Sequence, residues 1–303
     1  MKCLVTGGAG FIGSNLALEL EKQGHEVTII DNLNSGNKNN LKGFNGKIIE
    51  KDVAEDCNID EKFDVIFHQA AITNPRHPND EETYNKNTQG FKNIISLAQK
   101  NNAKLIYAST AGLYGNGHVP MTEDQEKEIL SVYGKSKLEM DQIAATLFDK
   151  MHIVGLRYFN VFGPREKYKG HAASMIYHLG KQIMAGKRPR IFKFGEQKRD
   201  HIYVKDAVDA TILAVNAKSG IYNVGTGIVT SFNDLIKVLN EVLKKKFAPE
   251  YFDMPYDPKT YQSNTHADTT KAEKSLRFKA KWPLKEGIKD YFDFLNQNGW
   301  ENE

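Results

Sequence analysis

The sequence predicts an α/β fold, with a parallel sheet covered by helices on both faces and a smaller C-terminal lobe. Three observations predict it. Short apolar runs alternate with helical patterns through the first half of the chain. A glycine-rich stretch, Thr6-Gly7-Gly8-Ala9-Gly10-Phe11-Ile12-Gly13, separates the first apolar run from the first helical pattern. After Arg157 the alternation gives way to loops and mixed elements. Strands that alternate with helices build crossover units whose sheet is buried on both faces.

The elements follow in order. Cys3-Leu4-Val5 is a buried first strand, and Leu16, Ala17, Leu18 and Leu20 mark the helix after the glycines. Gly7 permits a sharp turn, Gly10 lets a pyrophosphate approach the backbone, and Gly13 lets the helix sit against the strand. A phosphate would then meet the positive end of that helix and its unpaired N–H groups. Strand, turn and helix fall in the order a dinucleotide site requires, which makes the fold Rossmann-like and doubly wound. Val27-Thr28-Ile29-Ile30 is the second strand and ends at Asp31, placed to bond the ribose hydroxyls of the adenosine half. An acid there favours NAD, but Asn32 and Lys38 could hold a 2′-phosphate, so NADP stays open. Residues 32–46 form a loop. Strands follow at 47–50, 65–67, 104–109 and 153–156, with helices over about 80–100 and from about 132. Asp52 and Val53 lie at the adenine edge. Residues 68–73, including Gln69, Ala70, Ala71 and Thr73, leave the fourth strand where cofactor contacts are expected.

Beyond Arg157, residues 158–172 are expected to be site-building loops, followed by a helix to about 186. Residues 206–215 are helical, 221–224 form a strand, and Ser231 with Asp234 caps a helix through Leu243. Residues 249–267 are mostly loop, and helices begin near 268 and 283. The division expected is 1–165 for the NAD(P)-binding half and 166–303 for a substrate lobe interleaved with it.

Composition narrows the function. Among 303 residues, 41 Lys and Arg face 38 Asp and Glu, a formal charge of +3 that points to neither nucleic acid nor an anionic membrane. Lys244-Lys245-Lys246 is a solvated helix end. The two cysteines, Cys3 and Cys57, have no disulfide framework, and a reduced, cytoplasmic setting is expected. No apolar run nears the roughly 18 residues of a membrane span, the N-terminus lacks a signal-peptide layout, and no metal site is expected.

Tyr133 and Lys137 sit four apart on one helical face. An ammonium beside a phenol lowers its pKa, so the phenolate can take a proton from a sugar hydroxyl. Such pairs arise by chance, and Tyr177–Lys181 is a second one. Context separates them. Tyr133 opens the helix after the fifth strand, and Ser109-Thr110 ends that strand, where a hydroxyl can bond the same substrate oxygen. Tyr177–Lys181 is taken as helix surface.

Together, the glycine stretch, Asp31, Asp52, Ser109-Thr110 and Tyr133–Lys137 resemble the extended short-chain dehydrogenase/reductase superfamily over nearly the whole chain. The resemblance adds Asn87, Arg157-Tyr158-Phe159-Asn160, Val161, Gly163-Pro164-Arg165, Arg199-Asp200 and Asn223-Val224-Gly225-Thr226-Gly227. It implies an isomerase or lyase that holds NADP or NAD tightly, one per subunit, and oxidises a nucleotide sugar transiently. Dehydratases carry Asp-Glu after the catalytic Thr; here Ala111 and Gly112 stand there. The segment 255–262 resembles that of the ADP-glyceromanno-heptose 6-epimerases, with Thr260 in place of their Arg. Arg165-Glu166-Lys167-Tyr168-Lys169-Gly170 is similar to the loop that gives those enzymes a second catalytic lysine, matching Lys169.

That resemblance implies epimerisation at C6, with Thr110 positioning the oxygen, Lys137 tuning Tyr133, and Tyr133 and Lys169 each serving one configuration. Asn160, His171, His178, Arg199 and Tyr261 match substrate contacts, although His171 replaces a Ser or Thr. Arg199 suits a diphosphate, since its planar fork pairs two oxygens. Phe192 and Phe194 fit either a sugar pocket or core packing. The resemblance further implies a place in lipopolysaccharide-core precursor synthesis and a homo-oligomer, a pentamer. The alternative activity is a UDP-hexose 4-epimerase, which would be a dimer, and a third reading is a dinucleotide-binding protein without turnover.

Overall fold

The computed structural model describes residues 1–55, 59–74, 77–255 and 257–300. Cys57 and Tyr256, both used above, lie outside the described residues. Six strands of the first half are β1 (Lys2–Thr6), β2 (Glu26–Asp31), β3 (Lys47–Glu50), β4 (Val65–His68), β5 (Lys104–Thr110) and β6 (Ile153–Tyr158). The second half supplies β7 (Asn160–Phe162), β8 (Arg190–Phe192), β9 (Lys198–Tyr203), β10 (Gly220–Val224), β11 (Val229–Ser231) and β12 (Glu250–Phe252). The α-helices among the described residues are α1 (Phe11–Lys22), α2 (Asp80–Asn101), α3 (Val132–Ala145), α4 (Met175–Met184), α5 (Val204–Leu213), α6 (Phe232–Leu243), α7 (Thr270–Ser275) and α8 (Leu284–Asn298).

The main sheet is seven-stranded and parallel, in the order β10-β6-β5-β4-β1-β2-β3. The fold is therefore the doubly wound, Rossmann-like α/β architecture expected. Alternate residues of one strand feed opposite faces. Cys3 and Val5 join the core under α1 and α5, while Leu4 joins Phe91, Ile94 and Met140 under α2 and α3. Strand order reverses at β1, and the crevice beyond the strands' carboxyl ends opens there.

The second half is not a separate unit. After the lobe begins, the chain returns to add β10 beside β6, with Val224 opposite Tyr158. Arg165 ties the two parts together, donating to Asn40 O (3.0 Å) and Asn15 Oδ1 (3.1 Å), and Asn15 donates back to Pro164 O (2.9 Å). The lobe holds a three-stranded sheet, β11-β9-β7, and a two-stranded one, β12-β8. The expected loop at 158–172 contains β7 and a 3₁₀ turn at Lys167–Ala172. Tyr177 is not helix surface: it is buried, and its hydroxyl donates to Trp300 O at 2.6 Å. No helix among the described residues is long and apolar enough to cross a membrane, and no group of three potential metal ligands occurs among them.

Candidate active site

A cleft of about 1150 Å³ runs across the carboxyl ends of the main sheet into the lobe. Its floor is the glycine loop. Gly7 has φ +66°, and a Cβ there would lie 2.6 Å from Ala70 N. A Cβ on Gly13 would lie 2.1 Å from Gly7 O, and one on Gly10 3.1 Å from the same oxygen. Only glycines let α1 begin this close to the loop. Gly10 caps α1 without a side-chain hydrogen bond, so the first N–H groups of the helix remain available to an anion. Gly7, Gly10, Phe11, Ile12 and Gly13 all line the cleft. These residues fit a dinucleotide pyrophosphate.

At the adenosine end, Asp31 ends β2 and accepts from Ala9 N–H (2.9 Å) and Leu33 N–H (2.8 Å). Burial pushes its carboxyl up, against those two bonds. Asp31 and Asn32 line the cleft, as do Asp52, Val53, Gln69, Ala70, Ala71, Thr73, Asn87 and Val161. Asp52 accepts from Lys86 (3.0 Å) and from Asn32 (3.1 Å). Asn87 locks the loop after β4, exchanging bonds with Ile72 and donating to Ser136 Oγ (3.0 Å). Lys38 departs from expectation. It does not line the cleft, and its ammonium lies 3.3 Å from Glu50 Oε2.

The proton-transfer groups come from two elements. Ser131 caps α3 by accepting from Gly134 N–H at 3.1 Å, so Tyr133 falls in the first turn and Lys137 one turn on. Thr110 ends β5 and caps the next turn, accepting from Gly112 N–H at 3.1 Å. Its side chain lies beside the Tyr133 hydroxyl and favours the phenolate. Lys137 is buried and donates to Ala108 O at 2.8 Å, 5.9 Å from the centre of the Tyr133 ring. The expected lowering of the phenol is not found. Burial pushes Tyr133 up to about 12, with Thr110 opposing. Burial also pushes Lys137 down to about 8. Desolvation decides the direction here: the phenol is buried, and burial disfavours its charged form. His68, at the end of β4, bonds Thr6 Oγ1 (2.8 Å) and is pushed down to about 3 by burial and by Lys137. It is a neutral wall of the site.

Lys169 enters the cleft from the lobe side, its ammonium 5.5 Å from the centre of the Phe11 ring. Burial pushes it below the ordinary lysine value, and the charge of Glu166 opposes. Asn160, His171, Arg199 and Tyr261 also line the cleft. His178 does not. It packs edge-on against the Tyr177 ring, on the first turns of α4 beyond the Lys169 segment. Arg199 is less free than a diphosphate ligand should be. It donates to Tyr261 Oη (2.9 Å) and to the carbonyls of Gln262 (2.6 Å), Ser263 (2.9 Å) and Lys198 (2.8 Å). The guanidinium holds the 261–263 segment onto β9. Phe192 packs on Tyr261 and Phe252, and Phe194 is 70% exposed; neither lines the cleft.

Sequence reasoning missed His201, Gln262 and Thr265 as cleft residues. Thr265 donates to Asn160 Oδ1 at 2.6 Å. His201 lies two residues beyond Arg199 on β9, so period-2 alternation would have placed it on the same face had that strand been recognised.

The NAD dependent epimerase/dehydratase family matches residues 3–225. The chain belongs to that family. Among its members, the ADP-L-glycero-D-manno-heptose-6-epimerase of Brachyspira hyodysenteriae is 36% identical over 316 residues, covering 98% of both chains. A putative UDP-glucose 4-epimerase of Methanocaldococcus jannaschii is 35% identical, over 97% of this chain and 98% of that protein. In three dimensions this epimerase is similar to the Helicobacter pylori ADP-L-glycero-D-manno-heptose-6-epimerase, with a TM-score of 0.90 and 37% identity over 97% and 96% of the two chains. It is also similar to the Thermotoga maritima UDP-glucose 4-epimerase, with a TM-score of 0.89 and 29% identity over 98% and 99%. The enzyme is thus an NAD-dependent isomerase of the nucleotide-sugar type.

Proposed function

We propose that the enzyme converts ADP-D-glycero-D-manno-heptose to its L-glycero epimer at C6. The observation that carries this reading is the place of Lys169, an amine that lines the same cleft as Tyr133 from the lobe side. A bound nicotinamide supplies the hydride acceptor. Epimerisation removes hydride from one face of C6 and returns it to the other. If the ketone turns about C5–C6, its oxygen changes place and needs a different proton partner on each side. Tyr133 serves one placement, with Thr110 orienting the oxygen through its hydroxyl. Lys169 serves the other. Lys137 holds the nicotinamide ribose and fixes the charge beneath Tyr133. Asn160, His171, Arg199 and Tyr261 contact the nucleotide sugar.

The cofactor is recycled within each turnover, which favours one tightly held molecule per subunit. Asp31 suits the free 2′-hydroxyl of NAD, whereas a 2′-phosphate requires Lys38 to leave Glu50. The reading entails a cytoplasmic homo-oligomer that supplies lipopolysaccharide-core synthesis, checked by sedimentation of the holoenzyme. The 35% identity to a putative 4-epimerase supports the second reading, a UDP-hexose 4-epimerase.

Proton NMR of the protein with ADP-D-glycero-manno-heptose, beside a UDP-glucose control, tests the two. Appearance of the L-glycero epimer with the control unchanged is the expected result. UDP-galactose in the control, with the heptose untouched, overturns it. The mechanism has its own test at 340 nm. Lys169→Met should abolish transient cofactor reduction by one heptose epimer and spare it for the other, and Tyr133→Phe should do the reverse. Full turnover by Tyr133→Phe refutes the assignment.

A further inference from the structure

The segment that carries Lys169 is closed by one buried carboxylate. Glu166 has no exposed surface. Its Oε1 accepts from Gly163 N–H (3.3 Å) and from the Ser174 hydroxyl (2.8 Å), and its Oε2 accepts from Ser174 N–H (2.8 Å). Ser174 in turn caps α4, accepting from Tyr177 N–H at 3.3 Å. The carboxylate therefore joins Gly163 to Ser174 and rests at the positive end of α4. Between those ends, Lys169 N–H donates to Glu166 O at 2.9 Å, and the chain turns at Gly170, which has φ +56°.

A clasp needs only acceptor atoms, and an amide carbonyl would supply them. A buried negative charge is expensive unless something uses it. Lys169 is the cation whose charge acts on Glu166, and Glu166 is the carboxylate whose charge acts on Lys169. Tyr291 on α8 is a further titratable neighbour of Glu166, and burial, helped by the carboxylate, pushes its phenol up. The Lys169 ammonium faces the apolar Phe11 ring on its cleft side. Lys167, next to Glu166, sends its ammonium to the carbonyls of Asn298 and Gly299, both at 3.0 Å, and so anchors the same segment to the end of α8.

We propose that Glu166 is the positioning residue of Lys169: it closes the segment that carries the lysine and keeps a carboxylate three residues before the ammonium. It neither touches substrate nor exchanges a proton. The inference rests on Lys169 being the second proton-transfer group. Without the carboxylate the desolvated amine would lose its proton too readily to act as an acid. The same segment would also be free to swing from Phe11.

Trace acetylation of the holoenzyme with acetic anhydride, read at Lys169 by peptide mass spectrometry across pH, tests it. In Glu166→Gln, which keeps the shape, the Lys169 midpoint should fall by about one pH unit or more, and the matching limb of the kcat/KM profile should fall with it. An unchanged midpoint and an unchanged profile overturn the inference. Should Glu166→Gln fail to fold, Glu166→Asp carries the test. It keeps the charge on a shorter arm, so the midpoint should stay near the wild-type value while kcat falls at least tenfold. A wild-type kcat in that variant also overturns the inference. The labelling needs no sugar, so failure to turn over the heptose and failure of this inference are separate results.

Discussion

Gly13→Ala tests the cofactor cradle most directly. Alanine is the better helix former by about 1 kcal/mol, so on propensity alone the variant would gain stability. The structure reverses that expectation. A Cβ at residue 13 meets Gly7 O at 2.1 Å and Gly8 Cα at 3.0 Å, against an ordinary contact of 3.4 Å. The shortfall to Gly7 O is 3.4 − 2.1 = 1.3 Å, and it falls on backbone that cannot rotate away. The start of α1 must therefore back off by roughly 1 Å. Overpacking costs about 1–3 kcal/mol, so after the propensity gain the net loss is up to about 2 kcal/mol, or about 3 °C at this chain length. Calorimetric titration of the dinucleotide and differential scanning calorimetry give the two quantities. The expected pattern is a clear loss of dinucleotide affinity with a small loss of Tm. Gly24→Ala is the control. Gly24 has φ +81° and nothing within 4 Å of a Cβ, so it should lose about 1 kcal/mol and no affinity. Gly13→Ala that binds cofactor within twofold of wild type would refute the close-approach argument.

Three further outcomes follow from the site. Thr110→Val keeps the shape but loses the hydroxyl that meets Tyr133 and Gly112 N–H; kcat should fall about 10²-fold with only about 1 kcal/mol of stability lost as a cap, measured by steady-state kinetics and thermal melts. Lys137 binds its proton less readily folded, at about 8, than at the ordinary 10.5. The unfolded chain therefore holds more protons between those values, and this group's contribution to native stability rises as pH goes from about 8 to 10.5. Melting curves across that window should show wild type gaining on Lys137→Met, and a constant difference would refute the shift. Asp141→Asn removes the counter-charge of Arg157, whose Nε and Nη2 both lie 2.9 Å from Asp141 Oδ2 in a fully buried pair. The orphaned guanidinium should cost about 3–5 kcal/mol in denaturant unfolding, and a loss under about 1 kcal/mol would show the pair to be solvated.

The cofactor half was legible because its signals are local and redundant. Each strand of β1, β2, β4, β5 and β6 is an apolar run, and each glycine of the loop has one steric reason to be there. The lobe was less legible because its strands are short or polar. Lys198–Tyr203 carries Lys, Arg, Asp and His, it pairs with two three-residue strands, β7 and β11, and it is tied to residues far along the chain by bonds such as Asp200 N–H to Thr265 Oγ1 at 3.0 Å. Pair contacts were invisible for the same reason. Nothing near Lys38 in sequence announces Glu50, and nothing near Arg199 announces the carbonyls of 262 and 263. The Tyr133 phenol shows a different limit. Spacing correctly placed an ammonium near the ring, but the direction of the shift depends on desolvation, which spacing does not encode.

The return of β10 to the main sheet bears on how this chain emerges during synthesis. β6 is buried along its whole length and waits for residues 220–224 to cover its outer side. Until they leave the ribosome, a nascent chain already holding the nucleotide-binding strands carries an apolar, unsatisfied border that a second nascent chain can pair with. Cutting the chain at residue 165 makes that transient border permanent. The two halves are therefore poor units for expression, for domain swapping between relatives and for split reporters. A workable break must leave β10 on the same polypeptide as β6.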